Sequence, residues 1–151
     1  DPQNSGYHIM QSMIAIGSGG FWGKGLMRGS QVQLNFLPEH RTDFVFAHFA
    51  EQFGFLGCII LILLYLLLIH NLIKLSNSVT DFWSKATIQV IAIYIATGTI
   101  VNIGMVIGIL PVVGVPLPFI SYGGTNFMIF TLALTITFIC RKYSIKTRAF
   151  K

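Results

Sequence analysis

The most informative ionisable residue is Asp43, which stands in the string PEHRTDFVFA (Pro38 to Ala47) immediately before a long apolar run. A carboxylate there, beside Glu39, His40 and Arg41, can take a proton and so serve as a general base. The competing structural reading is that Asp43 or Thr42 caps the amino end of the helix that follows. Glu51 lies eight residues further on, on the same helical face and roughly two turns deeper. A carboxylate at membrane depth needs a partner or a wet cavity, and the sequence offers His48, three residues before it, as that partner.

Lys24 and Arg28 are spaced four apart within GSGGFWGKGLMRG, thirteen residues that include six glycines. Arg with its planar fork and Lys as a point charge could hold a phosphate or pyrophosphate, while the glycines allow main-chain N–H groups to approach a ligand closely. Solvation, or contact with anionic lipid headgroups, explains the same residues without a site. The string lacks the GK followed by Ser or Thr of a P-loop, and His8, His40, His48 and His70 form no HExxH-like zinc spacing. Further along, GILPVVGVPLPFISYGGT (Gly108 to Thr125) places three prolines and four glycines between apolar runs, so its backbone cannot be helical throughout. At membrane depth such backbone is tolerated only inside protein or lining a water-filled cavity. Asn102, Ser121, Tyr122 and Thr125 would give a cavity wall neutral donors and acceptors, although Asn102 could equally bond another helix.

The elements that must position these groups are membrane helices. Of 151 residues, 54% are hydrophobic and 10% charged, with a mean hydropathy of +0.72, whereas soluble domains carry about a quarter charged residues. The expected organisation is a large outer loop over residues 1–46, membrane helices over 47–73, 86–110 and 125–140, a loop at 74–85, a Pro/Gly loop at 111–124 that is outer or re-entrant, and a basic tail at 141–151. The fold class is therefore an all-α membrane protein. The last apolar run, Asn126 to Cys140, has only fifteen residues, which suggests that the chain is already in the membrane from about Phe119. Tyr7 to Ile16 carries Ile9, Met10, Met13, Ile14 and Ile16 near helical spacing, as a short helix on or dipping into the interface would.

Lys74 and Lys85, together with Arg141, Lys142, Lys146, Arg148 and Lys151, place the 74–85 loop and the tail in the cytoplasm. On the outer face Lys24, Arg28 and Arg41 are balanced by Asp1, Glu39 and Asp43. The net charge of +5 is thus a topology signal and does not point to nucleic acid. Cys58 and Cys140 lie at different membrane depths and read as packing residues. The opening Asp-Pro-Gln-Asn has no initiator Met and no signal-like run, and reads as the start of a piece of a longer polypeptide.

Three strings together, IGSGGFWGKG followed by QLNFLPEHRTDFVFA, then VNIGMVIGILPVVGVPLPFISYGGT, then the basic tail, resemble the SEDS family (shape, elongation, division and sporulation), and PVVGVPLPFISYGG is most like its RodA branch. The resemblance covers nearly the whole chain. It implies the last three helices and the large outer loop of a roughly ten-helix polytopic fold, built of helices as a bilayer demands. It also implies a peptidoglycan glycosyltransferase of the bacterial cytoplasmic (inner) membrane that polymerises lipid II for cell elongation and shape. In that reaction the acceptor hydroxyl attacks the donor's anomeric carbon and undecaprenyl pyrophosphate leaves. A class B penicillin-binding protein, a transpeptidase, would be its partner. The Asp of the family's TDF motif maps onto Asp43, as the acid/base residue.

Given that substrate, Lys24 and Arg28 are expected to neutralise the pyrophosphate, with or without a divalent cation (Mg or Mn). Glu39, Arg41, Thr42, Glu51, Asn102, Ser121 and Tyr122 are the other expected substrate-binding residues, and no covalent cofactor is expected. The chain departs from the family pattern in three places. Arg41 stands where the family has His, the family's Glu-Glu pair is reduced to Glu51-Gln52, and Thr125 replaces the Ser after SYGG. A permanent cation at Arg41 favours an ionised Asp43 more strongly than a neutral imidazole would. Two other functions fit a polytopic chain with a Pro/Gly-broken segment and an intramembrane carboxylate: a flippase or transporter of lipid-linked precursors, and a noncatalytic scaffold of the cell-wall machinery.

Overall fold

The computed structural model describes residues 5–25 and 43–149. Among them all regular structure is helical: α1 (Ser5–Gly19), α2 (Val45–Ser78), α3 (Phe82–Val106) and α4 (Gly124–Ala149). The last three are long and apolar enough to cross a membrane, so this is a multi-pass, all-helical membrane chain. Each helix differs in extent from its sequence expectation. α2 runs on into the expected 74–85 loop as far as Ser78, leaving a connection of only Val79 to Asp81. α3 begins within that loop and ends at Val106, because Gly108 takes a positive φ of 78° and the amides of Ile109 and Leu110 fold back onto the Gly104 carbonyl. Pro111 then bars re-entry into the helix. α4 continues through the basic tail to Ala149, so its membrane-crossing stretch, Gly124–Ser144, gains length beyond Cys140.

α1 turns its large apolar side chains outward and packs on the protein through small residues. Met10, Met13 and Ile14 are about half exposed or more, while Ser12, Ala15 and Gly19 are buried. The small residues let the helix backbone sit close to α2 and α3. The Ser12 hydroxyl donates toward the carbonyls of both Ile9 and Val106, each 2.8 Å away, tying α1 to the end of α3.

α2 is not one continuous helix. Gly54 has φ 66° and ψ −166°, a combination open essentially to glycine alone, and the helical ladder breaks around it. Residues 20–25 repair the break. The carbonyls of Glu51 and Gln52 accept from the amides of Lys24 (3.0 Å) and Gly25 (3.1 Å), and the amides of Phe55 and Leu56 donate to the carbonyls of Gly20 (2.9 Å) and Phe21 (3.3 Å). Four main-chain bonds thus seat the glycine-rich segment in the kink, where a Cβ on Gly54 would collide with the Gly23 amide.

The core lies where α2, α3 and the 111–123 segment meet, around Phe44, Ile95, Met105, Val106 and Leu117. On α4, Phe130 stacks on Tyr94 and packs against Phe119, with ring centroids 5.5 and 5.1 Å apart. The outer face of α2, including Leu63, Leu64, Leu66 and Leu67, is more than half exposed. A surface of this kind suits lipid or further helices. At the far end of the bundle the Thr80 amide donates to Ser144 Oγ (3.2 Å), closing the α2–α3 connection onto α4.

Asp81 caps α3, accepting from the Ser84 amide at 2.9 Å. That backbone hydrogen bond, with further help from the Ser84 side chain, holds the Asp81 carboxyl below its ordinary value of 3.8. A depressed folded-state value means that the cap stabilises above the ordinary carboxylate range and is lost as the pH falls through the lowered value. Asp81→Ala should therefore lower the hydrogen-exchange protection of the Ser84 amide at pH 7, with the difference from wild type disappearing in acid below 3.8. At the kink, Gly54→Ala should destabilise the intact protein by at least about 1–3 kcal/mol, read as a lowered Tm in detergent. An unchanged Tm would show that the bend accepts a side chain.

Candidate active site at the mouth of the second helix

Asp43 sits half-buried two residues before α2. Phe44 holds the N-cap position of that helix, with no side-chain cap bond among the described residues. Asp43 is tied to the Pro/Gly segment. Its main-chain carbonyl accepts from Asn102 Nδ2 at 2.9 Å, and the same Nδ2 donates to the Val115 carbonyl at 2.7 Å. The carboxylate lies against Gly114, whose φ is +67°; a Cβ built there would be 3.3 Å from Asp43 Oδ2. Gly114 therefore serves twice, supplying a left-handed turn and leaving room for the carboxylate.

The segment that carries Gly114 is held by neutral polar groups. The Tyr65 hydroxyl of α2 donates to the Pro118 carbonyl. Leu117 and Ser121 close a small turn on each other, the Leu117 amide donating to Ser121 Oγ (2.7 Å) and the Ser121 amide to the Leu117 carbonyl (3.1 Å). Ser121 is buried and spends its hydroxyl on this turn, whereas Tyr122 is 75% exposed. Of the polar groups expected to line a cavity here, Asn102 and Ser121 build the wall itself, and Tyr122 faces outward.

Glu51 is fully buried, and Lys24 Nζ donates to its Oε1 at 2.9 Å, with Ser18 Oγ 3.4 Å from the same oxygen. The sequence offers His48 as the neighbour; Lys24 fills that role from across the kink, because the main-chain bonds of residues 24 and 25 bring its stem there. Lys24 is therefore engaged with a carboxylate, which is not the phosphate-binding arrangement expected from its glycine-rich setting. Arg28, Glu39, Arg41 and Thr42 lie outside the described residues. Among the described residues no group of three or more His, Cys, Asp and Glu side chains could hold a metal ion.

Three contributors are not singled out by the sequence. Gly114 is one glycine among several, although its place between two Val-Pro-rich stretches marks a turn. Tyr65 is the one hydroxyl within a run of aliphatic residues, which is a usable signal for a bond across helices. Ser18 carries no signal beyond its neighbours.

A polytopic helical membrane protein whose acidic residue is locked to a Pro/Gly segment at the end of a spanning helix is the class that these features define. The chain belongs to the FtsW/RodA/SpoVE family, whose model, described as a cell cycle protein, matches residues 1–145. It is 49% identical over 129 residues to the peptidoglycan glycosyltransferase MrdB of Escherichia coli K12, covering 85% of this chain and 35% of that protein. It is 42% identical to the peptidoglycan glycosyltransferase RodA of Treponema pallidum (83% of this chain, 29% of that one). It is 37% identical to the stage V sporulation protein E of Bacillus subtilis (95% and 39%).

Among solved structures, it superposes with a TM-score of 0.74 and 25% identity on a chain from a study of how a peptidoglycan synthase complex coordinates polymerization and crosslinking, covering 95% of this chain and 39% of that one. A variant of the Thermus thermophilus rod-shape-determining protein RodA gives a TM-score of 0.68 at 27% identity, covering 89% and 40%. The chain thus spans about a third of the length of the curated relatives, 35% in the case of the Escherichia coli protein.

The Lys24–Glu51 pair has a measurable signature. Because removing one partner leaves a charge without its counterion, Lys24→Ala should destabilise by up to about 3 kcal/mol, moderated by the 31% exposure of the Lys24 side chain. Adding Glu51→Gln should recover part of that loss, as read by a double-mutant cycle on thermal unfolding; strictly additive effects would show that the two residues are not coupled.

Proposed function

We propose that this chain carries the base-bearing part of a glycosyltransferase that polymerises lipid II into glycan strands for cell elongation and shape, with Asp43 as the general base. The observation that supports the reading is the setting of Asp43: a carboxylate next to a spanning helix, its main chain bonded to Asn102 and its side chain beside Gly114, in a chain half identical to a peptidoglycan glycosyltransferase.

In this mechanism Asp43 takes the proton of the acceptor hydroxyl as that oxygen forms its bond to the donor's anomeric carbon. The bond from that carbon to the diphosphate oxygen breaks, and undecaprenyl pyrophosphate leaves with the electron pair. The proton remains on Asp43 until solvent removes it. A positioned general base is worth about 10²–10⁴-fold in rate. The protein would lie in the bacterial cytoplasmic membrane with Asp43 on the outer face and the basic end of α4 in the cytoplasm, as the distribution of Lys and Arg favours. A transpeptidase of the class B penicillin-binding type would crosslink the product. Ion-coupled transport has less support, because the deepest carboxylate, Glu51, is held by Lys24 and so is ill-suited to carry an ion.

Asp43→Asn in the intact protein should lower glycan formation from lipid II in detergent by at least about a hundredfold while leaving expression and partner co-purification unchanged. A wild-type rate in that variant would remove Asp43 from the chemistry. Failure of the wild-type protein with its partner to lengthen lipid II at all would favour transport.

A further inference from the structure

Asn102 is wholly buried at the end of α3, and its amide nitrogen is shared between two carbonyls that belong to different parts of the chain: Asp43, 59 residues away in sequence, and Val115, 13 residues away. These carbonyls flank the place where the Asp43 carboxylate meets Gly114. Neither carbonyl belongs to a helical ladder, so without the amide both would lose a partner in a partly buried setting, a loss that favours the clamped arrangement. Asn102 Oδ1 has no hydrogen-bond partner among the described residues. The side chain is therefore oriented by its nitrogen, and that nitrogen is spent entirely on holding backbone.

We infer that Asn102 is a positioning residue for the proposed base: one amide nitrogen clamps the Asp43 main chain to the Pro/Gly segment and thereby sets the direction of the Asp43 carboxylate. This rests on the reading of Asp43 as the base, and it reassigns Asn102 from touching the sugar substrate to aiming the group that does. The clamp needs a donor. Asn supplies two N–H donors, whereas an Asp of the same shape supplies none when ionised and one when protonated, so Asn102→Asp breaks at least one arm of the clamp while keeping the volume. Gly114→Ala attacks the same junction from the opposite side, pressing a methyl toward Asp43 Oδ2 while leaving the amide in place.

The test is steady-state polymerisation of lipid II by the intact protein with its partner, comparing wild type, Asp43→Asn, Asn102→Ala, Asn102→Asp, Gly114→Ala and the Asn102→Ala/Gly114→Ala double variant. Co-purification with the partner and the Tm of each variant report folding. A misplacement of about 1 Å costs on the order of a hundredfold in rate, so kcat should fall by about ten- to a hundredfold in each clamp variant with KM for lipid II unchanged. The double variant should be no slower than the slower single, because both act on one carboxylate. A wild-type kcat in folded Asn102→Asp would overturn the inference, and so would a raised KM at wild-type kcat, which would mark Asn102 as a substrate contact. If the Asn102 variants fail to fold, Gly114→Ala decides alone: slowed turnover at constant KM supports the junction, and wild-type turnover overturns it. Activity retained in Asp43→Asn would instead sink the underlying reading of the base, an outcome distinct from all of these.

Discussion

The structure depends on one requirement, that every main-chain N–H and C=O near the membrane finds a partner. It is met most visibly at Gly54. A helix bent through a glycine-only conformation forfeits ladder bonds on both sides of the bend, and residues 20–25 return four of them from outside the helix. The same bonds carry Lys24 to Glu51, so the buried carboxylate acquires its cation as a by-product of backbone repair. Gly19 and Gly23 are needed because a Cβ on either would run into the helix backbone at Ala50 and Gln52. Close approach to a ligand is the sequence's other use for such glycines; here the other half of the contact is the protein's own helix.

The Pro/Gly segment after α3 obeys the same rule by other means. Here isolated side chains do the work: Asn102 serves Val115, Tyr65 serves Pro118 and Ser121 serves Leu117. Each is neutral and buried, which avoids the desolvation that a charged group would meet. Rigidity follows, because groups whose alternatives are unpaired carbonyls do not readily let go. A rigid wall beside a half-buried carboxylate is what transition-state chemistry asks of a scaffold, since orientation must be in place before the substrate arrives.

Much of this architecture was legible from composition and spacing. The three long apolar runs and the irregular Pro/Gly stretch each follow from the residues, and the motifs around Asp43 and SYGG point to the family. Helix ends were less legible because apolar content marks the membrane and not the hydrogen-bond ladder: α2 and α4 continue through polar residues that no bilayer core would take. The partner of Glu51 was hidden for another reason. Sequence proximity favours His48, but a kink at Gly54 lets a segment almost thirty positions earlier reach the same oxygen, 27 residues apart in the chain. The role of Asn102 depends on which of two sides of one helix it faces, and a helix apolar on nearly every side gives no periodicity by which to tell.

The short link from Val79 to Asp81 has a consequence for how the chain can vary. Asp81 fixes where α3 starts, and α3 then runs without interruption to Asn102. At 3.6 residues per turn, one added or deleted residue between those points would swing Asn102 by about 100° around the helix axis. Relatives can therefore trade side chains along this stretch far more freely than they can change its length. The interval from Asp81 to Asn102 acts as a ruler whose two ends are read at opposite sides of the bundle.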